Sequence, residues 1–168
     1  MTYREWLNRI PKEMTADPLW TIEAYRLAMF AADVGWADAT KLMQDKRTLD
    51  LSGQLYEAVG SIGANISEGF SRQSGRDRAR FYEYALGSAR ESRTWYFNAR
   101  HILTDLVATH RIQLLTQIIR LLMVMVPDQR RNELREGELS YTAAGSLPWT
   151  ESPPANSLDQ LLENVPLS

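Results

Sequence analysis

QLYEAVGSIGANISEGFSRQSGRDRARFYEYALGSARE, residues 54–91, reads as two helices joined by a tight, arginine-rich turn. From Leu51 to Ser67 the only charged residue is Glu57. The turn then gathers Arg72, Arg76, Arg78 and Arg80 at one corner. A helix that is apolar or small on every side has to be buried on every side. In a chain of 168 residues that burial calls for other copies of the same chain. The stretch therefore predicts both an oligomer and a basic corner facing outward.

Working outward, apolar residues recur at helical spacing almost throughout, and no strand pattern stands out. Residues 3–10 form a short amphipathic turn with Trp6, Leu7 and Ile10 on one side, ended by Pro11. Asp17 is an N-cap candidate with Pro18 in the first helical position, opening a helix expected to run to about Lys46. A second helix is expected over 49–72. Ser74 and Asp77 resemble a capping box that opens a third, expected to reach about Thr109 with Phe81, Ala85, Ser88, Trp95, Ala99, Ile102 and Leu106 inward. A fourth spans 111–126 and stops at Pro127. Short turns between long helices imply antiparallel neighbours, so the expected fold is an all-α, up-down antiparallel four-helix bundle.

The chain divides by composition into an amphipathic extension (1–16), the bundle (17–131) and an acidic tail (132–168). Residues 1–131 carry 18 Lys/Arg against 15 Asp/Glu, a balance of +3, whereas 132–168 carry one Arg against six acids, a balance of −5. Residues 140–156 have the Ser, Thr, Gly and Pro content of a flexible linker. Beyond it, Leu158, Leu161, Leu162 and Val165 lie at helical spacing behind the capping-box pair Ser157 and Gln160, the form of a docking peptide on a tether. There is no cysteine, which excludes disulfides and thiolate chemistry. No apolar run is long enough for a bilayer and no signal-peptide pattern opens the chain, so a cytoplasmic protein is expected.

Small residues crowd the second helix: Gly60, Ser61, Gly63, Ala64 and Ser67, with Asn65, Glu68 and Gly69 beside them. Glycine in a helix interior costs about 1 kcal/mol relative to alanine, and close helix packing is the usual offset. Glu68 has a natural partner in Arg72, four residues on. On the third helix Arg76, Arg80, Glu83 and Arg90 share a stripe, with Arg93 and Arg100 on the adjoining side. Arginine forks match phosphate oxygens two at a time, and Tyr82 and Tyr84 offer stacking surfaces, so this face is a candidate for nucleic acid. The bland alternative is a solvated face on which Asp77, Glu83 and Glu91 pair with the arginines. His101 and His110 are nine residues apart, the wrong spacing for two metal ligands on one helical face. No phosphate loop or nucleophile elbow occurs. No enzymatic activity, metal or cofactor is expected.

Ser61, Ile62, Asn65, Ile66, Glu68, Gly69 and Arg72, followed by Phe81, Ala85, Gly87, Ser88 and Glu91, resemble the double motif of the bacterial rRNA intervening-sequence proteins, over roughly residues 17–127. The resemblance implies a ring-like homopentamer of four-helix bundles. It also implies kinship with the accessory proteins of diversity-generating retroelements, which bind nucleic acid and a reverse transcriptase. Two positions depart from the pattern: Gly63 stands where a proline often follows Ser-Ile, and Arg93 replaces a second acid. Two functions are thus expected as alternatives. One is an oligomer binding RNA or DNA through its arginines. The other is a protein-interaction scaffold whose tail docks a partner protein or its own ring.

Overall fold

The computed structural model describes residues 2–136 and 155–168, with side chains within 2–131 and 158–168. Two short helices, α1 (Tyr3–Leu7) and α2 (Lys12–Thr15), precede four long ones: α3 (Glu23–Leu42), α4 (Leu49–Phe70), α5 (Gly75–Leu103) and α6 (Asp105–Glu136). A further helix, α7 (Ala155–Glu163), lies near the C-terminus. Among the described residues all regular structure is helical. The long helices pack together, α3 on α4, α4 on α5, α5 on α6, and α6 back on α3.

Their apolar stripes explain the packing. Leu27, Phe30 and Leu42 of α3, Leu55, Ile62 and Ile66 of α4, Tyr82 and Tyr96 of α5, and Leu114, Leu115 and Ile118 of α6 are all fully buried. Each contributes about 1.5–3 kcal/mol relative to exposure. Contacts between α5 and α6 run in opposite senses: Arg78 and Arg93 of α5 meet Gln129 and Thr116 of α6 respectively. Between α4 and α5 the crossing is set by Gly69. A Cβ there would fall 2.8 Å and 2.9 Å from ring carbons of Tyr82 and 3.0 Å from Phe81 Cβ.

The N-terminal extension is part of the core. Thr2 and Glu5 cap α1 reciprocally, and Trp6, only 3% exposed, stacks between Tyr3 and Trp20 and leans on Phe30. α1 also touches α7, so the two ends of the chain meet.

Several expected boundaries move. Asp17 accepts from the Leu19 N–H as a cap should, but it opens only a 3₁₀ turn, Pro18–Thr21. The extended backbone of Ile22 then interrupts the chain before α3 begins. That helix stops at Leu42 rather than near Lys46, because Thr48 Oγ donates to the Leu42 carbonyl and Asp45 pairs with Arg47 in the connection. The third long helix ends at Leu103, six residues earlier than expected. Thr104 takes φ 79° and ψ 151°, and its Oγ then caps α6 by accepting from the Val107 N–H. Leu106, expected inward, is consequently 71% exposed on α6. Ala85 and Ala99 of α5 are buried as expected, but elsewhere the inward stripe runs one residue on: Tyr82, Ala89, Tyr96 and Leu103 are buried, whereas Phe81, Ser88, Trp95 and Ile102 lie at its half-buried edge. Tyr82 is therefore a core ring and offers no stacking surface.

Pro127 does not end the fourth long helix, which continues through it to Glu136. A mid-helix proline forfeits one backbone bond and crowds the preceding turn. Here the turns beyond it are held from outside, by Arg78 to Gln129 and by Arg130 to Glu83. The linker expected over 140–156 lies mostly outside the described residues.

Candidate nucleic-acid interface and tail-docking site

The basic corner is built by the α4–α5 turn. Ser74 Oγ accepts from the Asp77 N–H and opens α5 directly after α4 closes at Phe70, which throws Arg72, Arg76, Arg78 and Arg80 together. They are not equivalent. Arg78 is half-buried and structural: Nη1 donates to Gln129 Oε1 at 2.8 Å and Nη2 to the Arg72 carbonyl at 2.9 Å. Arg72 forms an ion pair with Glu68, as the i,i+4 spacing predicts, and its guanidinium lies 4.7 Å from the Phe81 ring centre. Arg80 donates Nε to Tyr84 Oη at 2.7 Å, leaving its outer nitrogens for other partners. The side chains of Arg76 and Arg90 are exposed and make no hydrogen bond or ion pair among the described residues.

The other two arginines of the expected face are placed apart. Arg93 sits on the α6 flank, donating to Thr116 Oγ at 3.3 Å. Arg100 folds back over Phe97, 4.0 Å from its ring centre, and donates to the Phe97 carbonyl. Along α5, Arg100 is about 36 Å from Arg76 at 1.5 Å per residue. Arg76, Arg80 and Arg90 thus make one exposed stripe about 21 Å long, while Arg93 and Arg100 do not join it.

Two cations escaped the sequence reading. Because α6 runs on past Pro127, Arg130 and Arg131 arrive beside the corner, paired with Glu83 and Asp128. The corner then holds Arg72, Arg76, Arg78, Arg80, Arg130 and Arg131 against Glu68, Asp77, Glu83 and Asp128. Reading Pro127 as a stop concealed them.

The positions expected to pack divide sharply. Gly63 and Gly69 are buried, Gly63 facing Met29 and Ala28 of α3. Ser61, Asn65, Ser67 and Ser88 are half-buried, and Asn65 Nδ2 donates to the Ser61 carbonyl at 2.8 Å. Gly60, Ala64, Gly87 and Glu91 are exposed, and nothing within 4 Å faces Gly60 or Gly87. Glu91 accepts from Trp95 Nε1 at 3.2 Å. One side of α4 is therefore bare among the described residues. Not far from it, on the α3–α4 face, Trp36 and Tyr56 meet edge to face at 5.5 Å, with Met43 and Leu49 also exposed.

The tail residues are docked on their own chain. Leu161 is buried, and Leu158, Leu162 and Val165 pack half-buried against the core. The seat is polar as well as apolar. His110 Nε2 lies 2.7 Å from the Leu161 carbonyl, and Arg111 Nη2 donates to the Pro166 carbonyl at 3.0 Å. Behind them Arg111 forms a buried ion pair with Asp38, Nε to Oδ2 at 2.8 Å, and Tyr96 Oη donates to the same oxygen at 2.9 Å. Burial, with the Asp38 carboxylate alongside, pushes the Tyr96 phenol well above its ordinary range. His110, a site that its sequence position alone did not mark, is thus buried while His101 is exposed. Among the described residues no cluster of three or more His, Cys, Asp or Glu could hold a metal, and no helix is long and apolar enough to cross a membrane.

These features define an all-α protein of four long, mutually packed helices, with an arginine corner at one turn and its C-terminal segment folded back on the body. The family profile described as 23S rRNA-intervening sequence protein matches residues 21–124. The chain belongs to that family. Among curated proteins and among solved structures, nothing matches.

Proposed function

We infer that this protein is a non-catalytic, cytoplasmic homo-oligomer, pentameric as the resemblance implies, that holds RNA or DNA phosphates on arginine side chains. Each protomer contributes an up-down antiparallel four-helix bundle, a reading supported by the opposite-sense contacts of α5 and α6. The observation that carries the binding function is the exposed stripe of Arg76, Arg80 and Arg90, extended at the corner by Arg130 and Arg131. Guanidinium forks grip phosphate oxygens without reading bases, so the binding is weakly sequence-selective and strongly salt-dependent. Assembly is supported by the bare side of α4, where Gly53 and Gly60 meet nothing within 4 Å among the described residues. A reverse transcriptase is the protein partner that the resemblance to the retroelement accessory proteins implies.

Fluorescence anisotropy of the full chain against labelled structured RNA, across a salt series, tests the reading. Arg76, Arg80 and Arg90 replaced together by Ala should weaken binding and lower the salt slope by about 2–3, with the helical signal unchanged. Equal affinity and slope in the triple variant would remove this face from the interface.

A second reading, a protein-interaction scaffold, is favoured by the exposed Trp36–Tyr56 pair. The tail is less suited to that task while Leu161 is buried against its own chain. In this reading, Trp36→Ala abolishes capture of a partner protein and leaves RNA affinity unchanged.

A further inference from the structure

The seat under the C-terminal segment is keyed by protonation as well as by shape. Arg111 Nη1 lies 2.9 Å from His110 Nδ1, and a guanidinium has only donors to offer. Nδ1 must therefore be the accepting nitrogen. Nε2 then carries the ring's proton and donates it to the Leu161 carbonyl. Both contacts are satisfied together only by the neutral imidazole with its hydrogen on Nε2.

We propose that His110 makes the docked C-terminal segment a proton-sensitive latch, closed on the body while the ring is neutral and released as the ring takes up a proton. A second proton has only Nδ1 to occupy, where it would meet an Arg111 N–H head on. It would also place a second positive charge beside the guanidinium. The facing carboxylate, Asp38 from α3, is already engaged by Arg111 and by Tyr96 from α5. On α7 the ring is faced by a main-chain carbonyl, and Asp159 and Glu163 of that helix point to solvent. On α6 itself, Arg120 lines the groove beside the ring and adds to the positive side. The protonated ring would keep, and strengthen, its bond to the Leu161 carbonyl. Burial and Arg111 nonetheless outweigh that bond and Asp38, and hold the imidazole below its ordinary value.

Release is the movement that relieves the cation. The ring borders a groove of about 500 Å³, whose walls include Gln113, Gln117 and Arg120 from α6 and Gln160, Leu161 and Asn164 from the tail. Lifting the tail removes that second wall and gives the imidazolium to water. Burial, the largest cause of the ring's lowered affinity for protons, is the part that the docked tail supplies and release removes, so docking is fully favoured above the ordinary histidine range. It weakens as pH falls below about 6.5, by at most about tenfold per pH unit for a single proton. The inference stands independently of the nucleic-acid reading.

Amide hydrogen exchange of the full chain, corrected for the intrinsic pH dependence, reads the latch directly at residues 158–166. From about pH 7.5 to about pH 5.5 the wild-type segment should lose protection several-fold, with a slope no steeper than about tenfold per pH unit, while amides around Tyr96 keep theirs. His110→Gln retains an N–H donor for the Leu161 carbonyl and cannot titrate, so its tail should be equally protected at both values. Unchanged wild-type protection, or the same acid loss in H110Q, overturns the proposal. Should H110Q fail to dock at either pH, the wild-type ring decides the matter by NMR. One transition shared by the His110 ring and the 158–166 amides upholds the latch; a ring that titrates while the tail stays protected refutes it.

Discussion

Replacing Asp38 by Ala strikes the most heavily connected polar group in the core. Its carboxylate is fully buried and accepts from Arg111 Nε at 2.8 Å, Arg111 Nη2 at 3.3 Å and Tyr96 Oη at 2.9 Å. Arg111 is 3% exposed and cannot shed its proton, so D38A leaves an uncompensated charge in the interior. Breaking a buried pair in this way costs about 3–5 kcal/mol. The orphaned Tyr96 hydroxyl is part of the same network, so its penalty does not simply add. For a domain with a stability of about 5–15 kcal/mol, that is a large fraction. With a urea m-value of about 2 kcal/mol per molar, the midpoint should fall by about 2 M. The companion variant D38A/R111M removes both charges and should recover most of the loss, because apolar replacement of a buried pair is often close to neutral. Circular dichroism through a urea titration measures all three proteins. A single-variant loss below about 1 kcal/mol, or a double variant no more stable than D38A, would refute the reasoning. Either would mean that the guanidinium finds water, and the tail that bonds it through Pro166 is the element that would have to yield.

Other substitutions probe separate parts of the argument. Gly69→Ala should destabilise by about 1 kcal/mol in thermal melts, because overpacking against Tyr82 (about 1–3 kcal/mol) outweighs the gain in helix propensity. Gly60→Ala and Gly87→Ala meet nothing within 4 Å among the described residues and should each stabilise the protomer by about 1 kcal/mol. If copies pack there, sedimentation will show a weaker assembly in the same variants; an unchanged assembly would exclude both positions from contact. Thr104→Gly relieves a backbone conformation that costs a β-branched residue about 1–3 kcal/mol and loses only a few tenths from the cap, so its melting midpoint should rise. Pro127→Ala restores a backbone donor inside α6 and should stabilise by about 1 kcal/mol or more on the helix-propensity scale. A lower midpoint would mean that the proline shapes a bend needed to bring Arg130 to Glu83.

The motif Ser61–Arg72 with Phe81–Glu91 is enough to place the chain in its family, and the four long helices follow from periodicity alone. Local chemistry is also legible wherever partners are close in sequence: Ser74 caps α5, and Glu68 pairs with Arg72. The errors occur where local signals compete with distant ones. Pro127 carries a strong local instruction to stop, yet contacts across α5 hold the helix together beyond it. Thr104 carries no turn signature, yet the chain breaks there, between the buried Leu103 and Val107. Ala85 and Ala99 of α5 are buried as their spacing suggests, but the aromatic positions read one residue out because aromatics border both edges of the stripe, and only the neighbouring helices choose between them.

The sequence by itself determined the helical class, the family, the clustering of arginines at one turn and the amphipathic character of the last residues, since each is written in composition or spacing along a single helix. Only the tertiary structure decided which arginines are free, that Arg130 and Arg131 join them, and that Asp38, Tyr96, His110 and Arg111 converge beneath the tail. Those four residues come from three helices, up to 73 positions apart. Buried charge is stable only with every partner in place, and no local pattern can announce partners that the fold alone brings together.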